Sequence, residues 1–107
     1  MKKGSVWPCE GSWHTDTATG ARIRQVTSHA AISHPTYFLQ SAFLPSGRIM
    51  FTSYRTGSPQ LFIAGFPDGD IVQMTDGPAI HPFSPALSRD FEEIVFTRGG
   101  SIWSIRL

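Results

Sequence analysis

The chain has 107 residues, of which 40% are hydrophobic and 16% charged, and its formal net charge is +1. This length and composition predict one globular domain at most rather than a disordered chain. A charge so near zero gives no electrostatic footprint for nucleic acid or an anionic membrane surface, so neither is an expected partner.

Cys9 is the only cysteine, so the sequence predicts no internal disulfide and no thiolate metal cluster. Lys2 and Lys3 are followed by residues 4–11, which contain no apolar run of the kind that a signal peptide needs. No stretch reaches the length of a membrane span. We therefore expect a cytoplasmic protein.

Residues 1–14 combine Gly, Ser, Pro and two tryptophans without any period, which favours an N-terminal arm. From Asp16 onward, turn residues recur every few positions, because Gly, Pro and Asp supply the backbone angles that turns require. The runs between them are short and rich in Ile, Val, Phe, Tyr and Thr, as is typical of strands. No window of helical spacing escapes these turn residues, so the predicted fold class is all-β.

Two segments of the chain are versions of one another. Residues 42–52 and 86–97 both begin with Ala and end with Ile-x-Phe-Thr, and the second copy has one more residue in its turn. Residues 23–27 likewise match residues 71–75. Units of about 45 residues built from short strands are the signature of β-propeller blades. Because the chain holds about two such units, it predicts a partial β-propeller of antiparallel blades.

The incomplete propeller is predicted over residues 15–107, and it opens with a lone N-terminal strand at 21–27. A four-stranded blade follows over 37–75, with its strands near 37–44, 48–54, 60–65 and 70–75. A partial blade over 85–107 has its strands near 85–88, 93–97 and 101–107. The second strand of each unit is apolar on both faces, as expected between neighbouring sheets. Uncovered blade faces and strand edges are expected sites of self-association.

Candidate binding residues lie in the loops of one predicted face, at the mouth of the central channel where propellers place their sites. His34 and His81 lie in loops between blades, and Arg55 follows a second strand. Because guanidinium forks match carboxylates, Arg55 and Arg98 are candidates for binding anions. Histidines that are solvated or bonded to local backbone, and exposed loop arginines, are the competing interpretations.

The sequence gives little indication of a metal site or a serine hydrolase. No His-x-His or His-x-x-x-His pair predicts a metal site, and no Gly-x-Ser-x-Gly elbow predicts a serine hydrolase. Residues 68–70 read Asp-Gly-Asp, but a hairpin turn explains them more simply than calcium does.

The stretch from His34 to Phe43 has the pattern His-x-x-Tyr-Phe-x-Gln-x-x-Phe, which resembles the start of bacterial oligogalacturonate lyases. Residues 16–20, 24–27, 73–77 and 101–105 are similar to the same enzymes. The resemblance covers roughly residues 13–107 and implies the N-terminal fragment of a seven-bladed propeller. That family cleaves pectic oligosaccharides in the cytoplasm by β-elimination, a step of pectin degradation and carbohydrate metabolism.

The resemblance also implies how the reaction proceeds. In the family a base removes the proton α to the uronate carboxylate, while manganese and arginine neutralise the developing enolate charge. The family's histidine base and metal ligands have no counterpart in this chain. We therefore expect catalytic residues to lie outside it, no bound Mn²⁺ and no activity for the chain alone. What the resemblance carries over is binding of oligogalacturonate by His34, Arg55 and His81.

Propeller repeats are shared with other proteins, so two alternatives stay open. One is a TolB-like or WD-type propeller module that binds proteins and performs no chemistry. The other is the propeller cap of a prolyl-oligopeptidase-type peptidase. Further blades bearing His-x-His would favour the lyase, blades alone the interaction module, and a Gly-x-Ser-x-Gly hydrolase domain the peptidase.

Overall fold

A computed structural model describes residues 2–107, and every regular element in them is a strand. The strands in chain order are β1 Val6–Trp7, β2 Ser12–Thr15, β3 Arg22–Gln25, β4 Ser33–His34, β5 Ile49–Ser53, β6 Gln60–Ala64, β7 Ile71–Gln73, β8 Ala86–Leu87, β9 Glu93–Arg98 and β10 Ser101–Arg106. The all-β prediction is therefore confirmed. Over these described residues, no helix is long and apolar enough to cross a membrane.

The strands form three antiparallel sheets. The first has the order β1-β7-β6-β5-β4, and we call it the first blade. The second has the order β10-β9-β8 and is called the second blade. Strands β2 and β3 pair only with each other, as an N-terminal hairpin.

The first blade is apolar on both faces because a different layer covers each face. Leu61 and Ile63 of β6 pack, with Met50, into a cluster that includes Ile94 and Phe96 of the second blade. Phe62, between them in sequence, faces the opposite way and joins a cluster against which Val26, the residue after β3, packs. Side chains alternate across a strand, so a strand covered on both sides is apolar at most positions.

The inner strand of the first blade differs from the prediction of a strand near 37–44. It consists of β4, paired with the end of β5, and a single bridge between Phe43 and Ile49. Residues 35–41, called the inner-edge bulge, leave the sheet, and the Ala42 carbonyl then accepts from the Met50 amide at 2.8 Å. Pro35 has no amide hydrogen for a ladder bond. The Gln40 amide donates to the Tyr37 carbonyl at 2.8 Å, which closes a turn instead. The other predicted strands correspond to β5–β10.

The N-terminal residues are more regular than the predicted arm over 1–14. Strand β1 extends the first blade beyond β7, with Trp7 opposite Ile71. Strand β2 pairs with β3, so the strand predicted at 21–27 is not alone. Trp13 lies against the Arg22 guanidinium, whose central carbon is 4.6 Å from the ring centroid. Met1 lies outside the described residues, and the division into arm and incomplete propeller stays a prediction.

The turns of the two sequence repeats are closed by equivalent backbone hydrogen bonds. In the first blade the Leu44 amide donates to the Arg48 carbonyl at 2.7 Å, and in the second the Ser88 amide donates to the Glu93 carbonyl at 2.8 Å. The second turn has the additional residue that the sequence repeat requires, and Phe91 in it has a φ of 63°.

Candidate functional site

The loops at one end of β5 and β9 bring two of the predicted residues together. His34 ends β4 opposite Thr52, whose hydroxyl donates to the Pro82 carbonyl at 2.8 Å. The His34 ring lies 4.6 Å from the ring of Phe83. The Phe83 amide donates to Nδ1 of His81 at 3.3 Å. His34 and His81 therefore both contact Phe83, across the boundary between the blades.

The hydrogen bonds of the two histidines assign opposite roles to their remaining ring nitrogens. Nδ1 of His34 lies 2.9 Å from the Pro35 carbonyl, which can only accept, so this nitrogen carries the proton. In the neutral ring, Nε2 of His34 is then an acceptor. Nδ1 of His81 accepts from a backbone amide, so its Nε2 carries the proton and is a donor. These tautomers follow from the hydrogen-bond partners.

Aromatic side chains surround His34. The ring centroid of Tyr54 is 6.2 Å from it, and Tyr37 lies edge-on to Phe83 at the same separation. Tyr37 in turn lies 4.5 Å from Phe38. We call His34, Tyr37, Tyr54, His81 and Phe83 the rim cluster.

Sequence reasoning did not single out the aromatic members of this cluster. The signal that would have found them is a repeated dipeptide. Tyr37 follows His34-Pro35 by two positions, and Phe83 follows His81-Pro82 directly. The Ser84 amide donates to the His81 carbonyl at 3.0 Å, so the second copy also turns away from its sheet.

Arg55, the third predicted substrate-binding residue, has a different environment. Its side chain has 0% exposure and forms an ion pair with Glu10, with Nη1 and Oε2 2.7 Å apart. Its Nε donates to the Ser53 hydroxyl at 3.0 Å, and its guanidinium carbon lies 5.1 Å from the ring centroid of Trp7. A sugar would reach this arginine only after the N-terminal segment moved away. Direct sugar binding by Arg55 stays a prediction that this arrangement does not support.

The environment of Glu10, the partner of Arg55, favours the charged form of its carboxylate. Burial alone would raise the pKa of Glu10, but hydrogen bonds from the Arg55 guanidinium and from the Ser28 and His29 amides outweigh it. The pKa of Glu10 therefore lies below its usual value of 4.5. The ion pair fixes residues 9–11 against the first blade.

Arg98 lies beside His81 in an open groove of about 520 Å³ that is lined by residues 79–81 and 97–100. Its Nη2 donates to the Asp76 carbonyl at 2.9 Å, and its buried Nε has no partner among the described residues. Neither this groove nor the rim cluster is suited to a metal. Within residues 2–107, no group of three or more His, Cys, Asp or Glu side chains could hold a metal ion.

Comparisons with known proteins give the fold an independent reference. No protein-family model matches the chain, and no curated protein does either. Two solved structures match it closely in shape. An oligogalacturonate lyase in complex with manganese has a TM-score of 0.89 at 22% identity, over 99% of this chain and 29% of the lyase.

The second structure is an oligogalacturonate lyase from Vibrio parahaemolyticus. It has a TM-score of 0.88 at 21% identity, over 98% of this chain and 28% of that one. At this identity the likeness establishes the fold, and the prediction of a partial β-propeller is confirmed. The resemblance to this family's fold is also confirmed. The chain spans less than a third of the length of either lyase.

Proposed function

We propose that the chain forms the N-terminal part of a propeller that cleaves pectic oligosaccharides by β-elimination. In this proposal it contributes part of the sugar-binding mouth rather than the reacting groups. The observation that carries the proposal is the convergence of His34 and His81 on Phe83, at one rim of a fold that matches two oligogalacturonate lyases.

The two histidines supply complementary hydrogen bonds for a uronate sugar. An acceptor at Nε2 of His34 suits a sugar hydroxyl, and a donor at Nε2 of His81 suits a carboxylate or ring oxygen. In this proposal the two histidines bind and orient the sugar. Proton abstraction and enolate stabilisation belong to residues elsewhere in the propeller, since no group of described side chains could hold the metal ion.

The test is titration of the 107-residue chain with unsaturated digalacturonate, followed through the imidazole signals in NMR spectra. Signals of His34 and His81 should move, whereas that of His14 should not. His14 is the internal control because it bonds to Ser12 and Gln25 in the N-terminal hairpin. Equal movement of all the histidine signals, or none, would contradict sugar binding at the rim.

A second experiment addresses the chemistry. The chain is incubated with manganese and unsaturated digalacturonate, and the products are separated by chromatography. We expect no cleavage, because no described residues form the base and metal site that the reaction requires. Metal-dependent turnover by the purified chain would place the reacting groups within it and overturn this division of roles.

A further inference from the structure

We propose that Glu10 closes an N-terminal clasp over Arg55, and that a uronate carboxylate competes with Glu10 for the Arg55 guanidinium when the clasp opens. The clasp is the segment 8–29, which contains the N-terminal hairpin of β2 and β3. The inference rests on the proposed function for the class of ligand. To that function it adds a gated binding group and the segment that gates it.

The N-terminal hairpin has little apolar contact with the first blade. Among the described residues, β2 and β3 pair only with each other, and Trp13 and Ile23 on these strands are about half exposed. Val26, the residue after β3, packs against the apolar cluster that contains Phe62. A two-stranded hairpin with so little buried apolar surface is the kind of unit that opens locally, without global unfolding.

A single carboxylate closes the base of the hairpin. Oε1 of Glu10, which precedes β2, accepts hydrogen bonds from the Ser28 and His29 amides, which follow β3, at 3.0 and 3.2 Å. The same carboxylate binds the Arg55 guanidinium through both oxygens, with Nη1 2.7 Å from Oε2 and Nη2 3.2 Å from Oε1. Glu10 therefore joins both ends of the hairpin to the first blade at one point.

The other polar attachments of the clasp lie at the turn between β6 and β7. Nε of Arg24 donates to the Pro67 carbonyl at 2.8 Å, and its Nη2 pairs with Asp68, whose side chain is 74% exposed. The Cys9 amide donates to Oδ1 of Asp70 at 3.1 Å. Exposed ion pairs contribute little to stability, because water replaces them readily. The buried Glu10 carboxylate is therefore the attachment that decides whether the clasp stays closed.

Arg55 is arranged as a carboxylate site whose occupant comes from the chain itself. A guanidinium that bonds both oxygens of a carboxylate has the geometry that favours this ligand. The Ser53 hydroxyl accepts from Nε of Arg55 at 3.0 Å, so the first blade orients the guanidinium independently of the clasp. When Glu10 leaves, the buried charge has lost its partner, and an external carboxylate can replace it.

A cavity of about 150 Å³ lies between the clasp and the first blade. Val26 and Thr27 of the clasp line it on one side, and residues 33–35 and 49–51 line it on the other. His34, a member of the rim cluster, is one of these residues. Opening of the clasp removes the wall formed by Val26 and Thr27. The same movement therefore frees Arg55 and enlarges a cavity beside the proposed sugar-binding rim.

Hydrogen exchange measured by NMR tests the clasp. The Cys9 amide and the Arg24 Nε proton, which bond to Asp70 and Pro67, should exchange through an opening that depends little on urea. Amides of β6 should exchange more slowly and with a strong urea dependence, because they require global unfolding. Glu10→Ala should speed exchange of the two clasp protons about tenfold.

The matched control is Glu92→Ala, which removes a carboxylate from the exposed ion pair with Arg106. It should leave the exchange of both clasp protons within about twofold of the parent, since this pair lies outside the clasp.

NMR titration with galacturonate, and with galactose as its uncharged counterpart, tests the ligand. Binding at Arg55 requires the open clasp, so the apparent dissociation constant falls as the open fraction rises. Glu10→Ala should therefore bind galacturonate more tightly by the same factor that exchange measures, about tenfold. Its affinity for galactose should not change. Arg55→Leu, added to Glu10→Ala, should abolish the gain.

The outcomes separate the clasp from the proposed function. Exchange that Glu10→Ala leaves unchanged, or that shares the urea dependence of β6, would overturn the clasp. Faster exchange without a matching gain for galacturonate, or with an equal gain for galactose, would overturn Arg55 as the gated carboxylate site. In each case, shifts of the His34 and His81 signals would leave the proposed function standing. A matched gain without those shifts would support the clasp and reject sugar binding at the rim.

Discussion

The two blades contain the same repeated strand and differ in what covers it. In the first blade, β5 and β6 are buried almost throughout, between the second blade and the N-terminal segment. In the second blade, Ile94 and Phe96 are buried against the first, whereas β10 is mostly exposed. The comparison shows that an apolar strand acquires its core only from its neighbouring layers.

The ion pairs of the two regions show the same contrast. Arg55 is fully buried with Glu10, and Arg106 pairs with Glu92 where both side chains are more than half exposed. A buried charge that loses its partner cannot recover its hydration, whereas an exposed one can. Similar bonds should therefore contribute differently to stability in the two blades.

The largest predicted effect comes from the core of the first blade. Phe62→Ala should lower the free energy of unfolding by about 3–5 kcal/mol, because Phe62 has 0% exposure and its removal leaves a cavity. Ile102→Ala in β10, where Ile102 is 78% exposed, should change it by less than about 0.5 kcal/mol. Urea unfolding of both variants measures the difference. Equal losses would show that the second blade is as well packed as the first.

The next effect concerns the buried ion pair. Glu10→Ala should lower the free energy of unfolding by about 1–3 kcal/mol, since it leaves the Arg55 guanidinium buried without its carboxylate partner. The matched variant Glu92→Ala should lower the free energy of unfolding by less than about 1 kcal/mol, because water screens the pair with Arg106. Urea unfolding again provides the measurement. A double variant that also carries Arg55→Ala tests for coupling, and strictly additive losses would reject the pair as the cause.

Stability should also depend on pH through Glu10. Its folded pKa is lower than its unfolded value near 4.5, so the stabilisation is present above that pH. It is lost as the pH falls through the folded pKa. The Glu10→Gln variant should lose less stability than the parent between neutral pH and the acid range. The pKa values of Asp16 and Asp90 are also lowered, mainly by hydrogen bonds from Thr19 and Ser88, and both variants retain those contributions. Parallel pH profiles would contradict this role for Glu10.

The smallest effect distinguishes the two repeated turns. Gly47 has a φ of 85° in the first and Phe91 a φ of 63° in the second. Nothing lies within 4 Å of the methyl group that Gly47→Ala would add, so the substitution causes no clash. Backbone strain alone should lower the free energy of unfolding by about 1 kcal/mol. Phe91→Gly should raise the free energy of unfolding by about 0.5 kcal/mol, because it relieves the same strain. Thermal unfolding of both variants checks the opposite signs, and a loss in both would show that Phe91 contributes contacts.

Part of this structure follows from the sequence alone. The turn residues and the repeat of residues 42–52 in 86–97 predict an all-β chain, the hairpins around β5 and β9, and the additional residue in the second turn. These features depend on neighbours in the chain. Alternation along a strand and the φ preferences of glycine and proline express themselves within a few residues.

The tertiary structure decided the rest. Whether Val6 and Trp7 form a strand depends on Ile71 and Val72, which lie far along the chain, and the pairing of Arg55 depends on Glu10 in the same way. The inner-edge bulge and its contact with Phe83 likewise require the second blade to be in place. Long-range pairing is set by which surfaces remain to be buried once local elements have formed. A sequence window cannot contain that information, because the competing partners lie outside it.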